Sequence, residues 1–366
     1  MKKFNPFFSK LKRAILLPAF ISILFANAQA QILRVGVAGL NHDHAYGLMH
    51  QFKNGEVTII GIAEPDARLV ERYKKAYQLP DSIFYKSVGE MLQHIKPDAV
   101  LAYNAIADHL SVVEACAPKG ISVMVEKPLA TTVAQADRIA ALAKQYHIKV
   151  LTNYETTWYD TNQQVYEMVN ADNAVGNIRK MVVHMGHQGP KEIGCSKDFL
   201  AWLTDPVKNG GGALIDFGCY GANIMTWLMH GKAPISVSAI TKQIKPAIYP
   251  NVDDDATIIL EYPGATGIVE ASWNWPYGIK DLEVFGEKSY LHALNGSALQ
   301  KRDTSVYYNV PVKKAAYKSN LVYLADVLSG KINPDNDLSS LENNLIVVRI
   351  LEAARKSARE GKKIVP

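Results

Sequence analysis

Cysteine is scarce in this chain. Cys116, Cys195 and Cys219 are the three present. An odd, widely spaced set does not build a disulfide framework, and no pair has metal-site spacing. Buried thiols are the expectation, with a Cys195–Cys219 bridge the one alternative. A surplus of one charge is missing too. The chain has 40 basic and 35 acidic residues, but Lys2, Lys3, Lys10, Lys12 and Arg13 all lie near its start and no acidic residue accompanies them. Past residue 30 the two signs balance. That balance leaves no basic footprint for a polyanion, so nucleic acid is not an expected partner. Internal repeats and low-complexity stretches are absent as well.

The basic start has its own reading. Ala14 to Phe25 is an apolar run broken only by Pro18 and Ser22, and Ala28-Gln29-Ala30 has the small residues of a signal peptidase site. Together they predict a secretory signal peptide over 1–30, hence an exported, periplasmic protein with no membrane attachment after cleavage. The run is short for a membrane span. No Cys follows the site, which argues against a lipoprotein. Lys12-Arg13 is not a twin-arginine pair, so export in a pre-folded, cofactor-loaded state is disfavoured.

What the chain does have is a rhythm. Apolar runs at Ile32–Ala38, Val57–Ala63, Asp98–Ala102, Ser122–Val125 and Lys149–Leu151 alternate with helical patterns at Ala67–Tyr73, His109–Cys116 and Ala134–Tyr146. Strands separated by helices at this spacing predict right-handed βαβ units and a doubly wound parallel sheet over 31–152. The rhythm then changes. After a helix near Gln163–Asn170 and a strand at Ile178–Gly186, a helical pattern runs from Gly212 to Met229. Runs at Ile235–Thr241, Ala256–Tyr262, Gly267–Trp273 and Leu282–Phe285 follow, joined by short turns. They predict a large, mostly antiparallel sheet in a second α/β domain over 153–366. A last helix spans Ser340–Glu360, with Ser339 and Glu342 in capping-box spacing and Gly361 as its stop. It is expected to pack back on the first domain.

Chemistry gathers at the ends of the parallel strands, where open α/β sheets bind ligands. The first strand ends in Gly39-Leu40-Asn41-His42-Asp43-His44. Only the first glycine of a G-x-G-x-x-G loop remains. Asn41 stands in the second position, where asparagine can adopt the left-handed backbone that glycine supplies. Glu64 ends the second strand, placed to hold a ribose hydroxyl. A carboxylate there favours NAD over NADP because it repels a 2′-phosphate. His42 and His44 could share a metal ion, but no third ligand lies near in sequence and no metal is expected. The sharpest signal is Glu126-Lys127-Pro128 at the end of the fourth strand. A lysine there can donate to a substrate oxygen or, with a lowered pKa, accept its proton. Its bland alternative is a solvated turn residue. In Gly210-Gly211-Gly212-Ala213-Leu214-Ile215-Asp216, the acid lies four residues before Tyr220, so helical spacing puts both on one face.

These motifs resemble the glucose–fructose oxidoreductase, inositol dehydrogenase and rhizopine-catabolism (Gfo/Idh/MocA) family. The resemblance rests on Glu126-Lys127-Pro128 after the Asp98-Ala99-Val100 strand with His109 between them, and on the glycine run leading to Asp216. Val252-Asp253-Asp254-Asp255-Ala256 and Ala271-Ser272-Trp273 resemble the family's second-domain sheet. It covers most of the chain past residue 30. It implies a Rossmann domain, a second domain whose open sheet is often used for homo-oligomers, and hydride transfer between nicotinamide and a carbon of a sugar or polyol. It also implies catalytic roles for Lys127 and Asp216. Tyr220 is the third candidate, standing where the family commonly has histidine. Gly39, Asn41, His42, Glu64, Asn104, His109, Glu126 and Lys127 are the candidate NAD contacts. Tyr154, Trp158 and His187 are the candidate substrate contacts, with Trp273 and Trp275 as further aromatic surfaces for sugar rings. His184 alternates with Val182 and has the alternative of a satisfied sheet histidine.

A degenerate glycine loop and an export signal are unusual together in a nicotinamide enzyme. Either the cofactor is held tightly and regenerated in place, or it has been lost. The leading expectation is therefore an NAD(P)-dependent sugar or polyol oxidoreductase. The second is an NAD-dependent glycosidase that works by transient oxidation and elimination. The third is a non-catalytic sugar- or nucleotide-binding protein on an inherited fold.

Overall fold

The computed structural model describes Met1, residues 32–317 and residues 319–366. The signal-peptide motif lies outside the described residues. The first half builds β1 (Arg34–Ala38), α1 (Ala45–Lys53), β2 (Thr58–Ala63), α2 (Ala67–Tyr77), β3 (Phe84–Tyr85) and α3 (Val88–His94). It continues with β4 (Ala99–Ala102), α4 (His109–Cys116), β5 (Ser122–Glu126), α5 (Val133–Tyr146) and β6 (Val150–Asn153). The strands form a six-stranded sheet in the order β3-β2-β1-β4-β5-β6, parallel throughout. Helices cover both faces, so the inner strands read as unbroken apolar runs: Val35, Val37, Val100, Val123 and Val125 have no exposed surface. The order reverses between β1 and β4. That opens a crevice at the carboxyl ends of the strands.

The second half contains α6 (Asp160–Tyr166), β7 (Ile178–Gly186), α7 (Lys197–Leu203), α8 (Ala213–Asp216) and α9 (Gly218–Leu228). Then come β8 (Ser236–Lys242), β9 (Asp255–Tyr262), β10 (Ala265–Ser272), β11 (Ile279–Gly286), β12 (Tyr290–Ala293), β13 (Leu299–Arg302), β14 (Tyr308–Val310), α10 (Asn320–Leu328) and α11 (Leu341–Glu360). Eight strands pair in the order β14-β13-β12-β11-β7-β10-β9-β8, antiparallel except for β10 on β7. One face is apolar. Met181, Val183, Met185, Val269 and Val284 are buried against α9, and every residue of α9 is itself buried. The other face carries the alternate residues, a mix of polar side chains and exposed apolar ones such as Ile240, Ile259 and Phe285.

Two sequence expectations change here. The Gly212–Met229 helix is two helices, broken at Phe217 (φ −106°, ψ −32°). The cap of α11 is Ser340, whose Oγ accepts from the N–H of Asn343 at 3.1 Å. Ser339 is engaged elsewhere, its carbonyl accepting from Thr152 N–H at the start of the β6 pairing edge (3.0 Å). Residues 32–366 form one compact unit, with late helices shared between the two sheets. Leu321, Tyr323, Leu324 and Val327 of α10 return to the core of the first sheet, alongside Val35 and Leu48. α11 serves both cores, with Val348 in the first and Ile350 and Leu351 in the second. Glu352 further ties α11 to the N–H of Val133 at the start of α5 (2.9 Å). The short helices α1, α3, α7 and α10 and the strands β12–β14 escape sequence reading because each is brief and its burial comes from distant segments.

Candidate functional site

The crevice loop is built around Gly39. Its φ is +82°, and a Cβ there would sit 2.7 Å from Asn104 Cβ, so only glycine lets the β1 and β4 loops meet. Glu64 locks the loop: its carboxylate accepts from Leu40 N–H (2.8 Å) and Asp66 N–H (2.9 Å). Burial raises its pKa against those hydrogen bonds. Asn41 and Asp43 keep backbone N–H groups with no partner among the described residues, at the entrance to α1. Gly39, Asn41, Glu64, Lys86, Ser87 and Asn104 border a cleft of about 350 Å³. Asn41 Oδ1 and Asn104 Oδ1 are buried there without hydrogen-bond partners. Open N–H groups near a helix start suit a pyrophosphate, and orphaned acceptors suit ribose hydroxyls and amides. The residues present thus fit a dinucleotide.

α7 closes this loop from above, a contact invisible in sequence. Trp202 Nε1 donates to Asn41 O (3.1 Å), and Ser196 N–H donates to Asp43 Oδ2 (2.8 Å). His42 is packed against Phe199 and Trp202 and is 1% exposed, which drives its pKa well below the ordinary value. His44 reaches across the crevice to Glu126 (Nδ1 to Oε2, 2.9 Å). Burial opposes its charge, but the Glu126 carboxylate outweighs it and raises the His44 pKa. Glu126 is held from its other oxygen by Asn153 Nδ2 (2.8 Å), and Asn153 in turn by the Trp158 indole (3.1 Å). His42, His44 and Glu126 thus offer ligand atoms within 4.8 Å of one another. The backbone N–H of His44 donates to His42 Nδ1 (3.1 Å), so the neutral ring keeps its proton on Nε2, the nitrogen facing Glu126. That nitrogen has no lone pair for an ion.

Lys127 sits at the end of β5, 6% exposed, and the Lys127–Pro128 bond is cis. Its ammonium is paired with Asp216 Oδ1 and also donates to Asp216 O (3.0 Å). Burial works against both charges, yet each partner overrides it: the Lys127 pKa is raised and that of Asp216 lowered. Lys127 is therefore a resting ammonium, and the lowered pKa contemplated from sequence is not what the fold makes. Two of its three N–H bonds are accounted for, leaving one donor. Asp216 is set directly by Trp273 and, through the start of its helix, by Asp253. Trp273 Nε1 donates to its Oδ2 (3.0 Å). Asp253 caps α8 by accepting from Gly212 N–H (2.9 Å) and Leu214 N–H (2.7 Å). Gly212 is obligatory, because a Cβ would lie 1.7 Å from Asp253 O.

Tyr220 lies beneath Lys127, whose ammonium is 5.0 Å from its ring, so the break at Phe217 still leaves Asp216 and Tyr220 on one side. Burial pushes its phenol well above the usual range, so it is neutral. Lys280 stands 5.5 Å from the same ring, ion-paired with Glu155. His187 packs edge-on against Phe217 and accepts from Gly189 N–H through Nδ1 (2.9 Å). Burial lowers its pKa, so it presents a neutral Nε2–H. All three cysteines are free, and burial pushes each thiol up to about 12.

Some candidates move one step back from the crevice. His109 has no exposed surface; its Nδ1 donates to Leu129 O (3.1 Å), so it clamps the turn after Lys127 instead of touching a cofactor. Nothing in the structure explains its unpartnered Nε2. Tyr154 is fully buried, edge-on to Tyr220, and supports that ring. Trp158 packs on Tyr323 and positions Asn153. Trp273 is fully buried and holds Asp216, a role its sequence setting as a sugar-ring surface did not suggest. Lys280 and Trp202 carried no sequence signal that tied them to the site, and Asp253 stood out only as part of a second-domain strand motif.

A doubly wound domain with a crevice at its strand ends is joined to an open-sheet domain that supplies an acid to its strand-end lysine, an arrangement that fits a dinucleotide-binding protein. Residues 31–154 match the oxidoreductase family with the NAD-binding Rossmann fold, and residues 162–292 match the Gfo/Idh/MocA C-terminal domain. The chain belongs to the Gfo/Idh/MocA oxidoreductase family. It is 23% identical over 218 residues to trans-1,2-dihydrobenzene-1,2-diol dehydrogenase of Xenopus tropicalis, covering 58% of this chain and 60% of that one. It is 25% identical over 212 residues to the rhizopine catabolism protein MocA of Rhizobium meliloti, covering 57% and 63%. The matches thus span about three fifths of these relatives' lengths. Among solved structures, the fold is shared with an aldose–aldose oxidoreductase from Caulobacter crescentus crystallised with glycerol. The TM-score is 0.77 at 22% identity, over 92% of this chain and all of that one. An inositol dehydrogenase homolog complexed with NAD+ from Azotobacter vinelandii gives 0.77 at 17% identity, over 92% and 98%.

Proposed function

We propose that this protein is an NAD-dependent oxidoreductase acting on a carbinol carbon of a sugar or polyol. The observation that carries the reading is the buried Lys127–Asp216 pair with one ammonium N–H left over. Bound nicotinamide would supply the hydride acceptor or donor; the rest is the work of side chains. Lys127 donates its remaining N–H to the reacting oxygen and stabilises negative charge developing there. Asp216 keeps that ammonium charged and aimed. The Nε2–H of His187 is a second donor for a hydroxyl-rich substrate. Tyr220, neutral and flanked by Lys127 and Lys280, is the hydroxyl best placed to exchange a proton with substrate. Glu64 favours NAD, while Lys86 on the same cleft is the cation that a 2′-phosphate would seek, so both dinucleotides belong in the test.

The signal-peptide motif supports an exported protein whose cofactor is retained tightly. It favours a second reading in which a transient oxidation assists glycoside elimination and the cofactor returns to its starting state. The open sheet of the second domain supports a homo-oligomer.

The test is to purify the protein, denature it, and measure released NAD(H) and NADP(H) by mass spectrometry. Added dinucleotide is then titrated by calorimetry, and aldoses and polyols are screened for NADH formation. Stoichiometric or titratable NAD with turnover is expected. Turnover of an aryl glycoside without net NADH would select the second reading. Absence of both retained and titratable dinucleotide would overturn both.

A further inference from the structure

The open face of the large sheet carries a second polar cluster that the redox site does not use. His184 on β7 stands directly opposite Asp281 on β11, and Glu283 on β11 directly opposite His292 on β12. Alternation along the strands turns all four away from α9, because Val183, Leu282, Val284 and Leu291 point into the core. We propose that His184, Asp281 and Glu283 form a binding site for one divalent first-row transition-metal ion.

Three observations support it. First, the ligand atoms of these three residues all lie within 4.8 Å of one another, close enough to surround one ion. Second, both carboxylates are already oriented by neighbouring side chains on β12. His292 Nε2 contacts Asp281 Oδ2 (3.1 Å), and the Tyr290 hydroxyl donates to Glu283 Oε2 (2.7 Å). Outer partners of this kind fix metal-ligating carboxylates. Third, the charges match. Two carboxylates neutralise a divalent ion, and Glu270, opposite His184 on β10, adds further negative potential.

The donor set also selects the ion. One imidazole with two carboxylates suits borderline ions such as Zn²⁺, Co²⁺ or Mn²⁺ over Mg²⁺ or Ca²⁺, which prefer all-oxygen ligands. Three protein ligands leave positions for water. His184 Nδ1 now shares a proton with Asp281 Oδ1 across 2.7 Å; metal binding would displace that proton to solvent. The crevice cluster differs here. The His44 N–H occupies His42 Nδ1, whereas among the described residues no backbone N–H is directed at the His184 ring; the backbone N–H of His184 goes to Asp281 Oδ1 (3.2 Å). The ion would tie β7 to β11 at a site separate from the hydride chemistry.

The experiment uses the whole chain, stripped with a chelator and titrated with ZnCl₂ by calorimetry and with CoCl₂ by visible absorption. One equivalent of each ion is expected, with proton release that scales the heat with buffer ionisation. Asp281→Asn and Glu283→Gln should each weaken binding at least tenfold. Removing an outer partner, His292→Ala or Tyr290→Phe, should weaken it roughly 10- to 100-fold. His44→Gln, in the crevice cluster, should leave it unchanged. Should Asp281→Asn fail to fold, Glu283→Gln decides, because it leaves the His184–Asp281 pair intact. The proposal is overturned if neither ion binds the unaltered protein at millimolar concentration. It is overturned equally if binding survives loss of Asp281 or Glu283, or disappears with His44→Gln.

Discussion

Two ionic clusters of this molecule invite comparison. Lys127 and Asp216 meet between the sheets with side chains 7% and 8% exposed. His184, Asp281 and His292 meet on the outer face of the second sheet with side chains 28%, 13% and 20% exposed. Both set a nitrogen against a carboxylate, but they lie in different media. Between the sheets, each charge depends on its partner because water cannot replace it. On the open face, water and counter-ions screen the pair, so its worth to the fold is small and its geometry is free to serve a ligand. Burial thus separates a charge held for chemistry from a charge held for exchange.

The largest expected effect that breaks this symmetry is on turnover. Lys127→Ala should lower kcat by roughly 10²- to 10³-fold, the usual range for losing one donor to a developing negative charge. Steady-state kinetics with retained dinucleotide binding would check it; near-normal kcat would remove Lys127 from the chemistry. Next is stability. Asp216→Ala leaves a buried ammonium without its counter-charge and should cost about 3–5 kcal/mol in urea unfolding. The matching change outside, Asp281→Asn, should cost no more than about 1 kcal/mol in the metal-free protein. Similar losses at the two sites would contradict the comparison.

A smaller, pH-dependent effect belongs to the crevice pair. The His44 pKa is raised above 6.5 in the folded protein, so its contribution to stability is complete below pH 6.5 and lost as pH rises through the folded value. The Glu126 pKa is lowered below 4.5, so its contribution is present above pH 4.5 and lost as pH falls through the folded value. The pair therefore contributes most between pH 4.5 and 6.5. In thermal melts from pH 5 to 9, His44→Gln should flatten the alkaline decline of Tm relative to the unaltered protein. Parallel declines would show that His44 is not held charged.

The sequence by itself determined the parallel sheet, the antiparallel sheet and the strand-end positions of Gly39, Glu64 and Lys127. These follow from local hydrophobic period and turn chemistry, which any stretch of chain carries within itself. It also brought Asp216 and Tyr220 forward by spacing, although the helix that joins them is broken. Only the tertiary structure decided what surrounds them. Lys127 and Asp216 are 89 positions apart, and the chain gives no sign that their burial together would raise one pKa and lower the other. His109, Tyr154, Trp158 and Trp273 are polar or aromatic residues near the right strand ends. Whether such a residue faces a ligand or props one that does depends on which distant segment covers it. Here Leu129, Tyr220, Tyr323 and Asp216 claimed them. The pairing of His184 with Asp281 likewise depends on strand register between segments 97 positions apart, which a local pattern cannot encode.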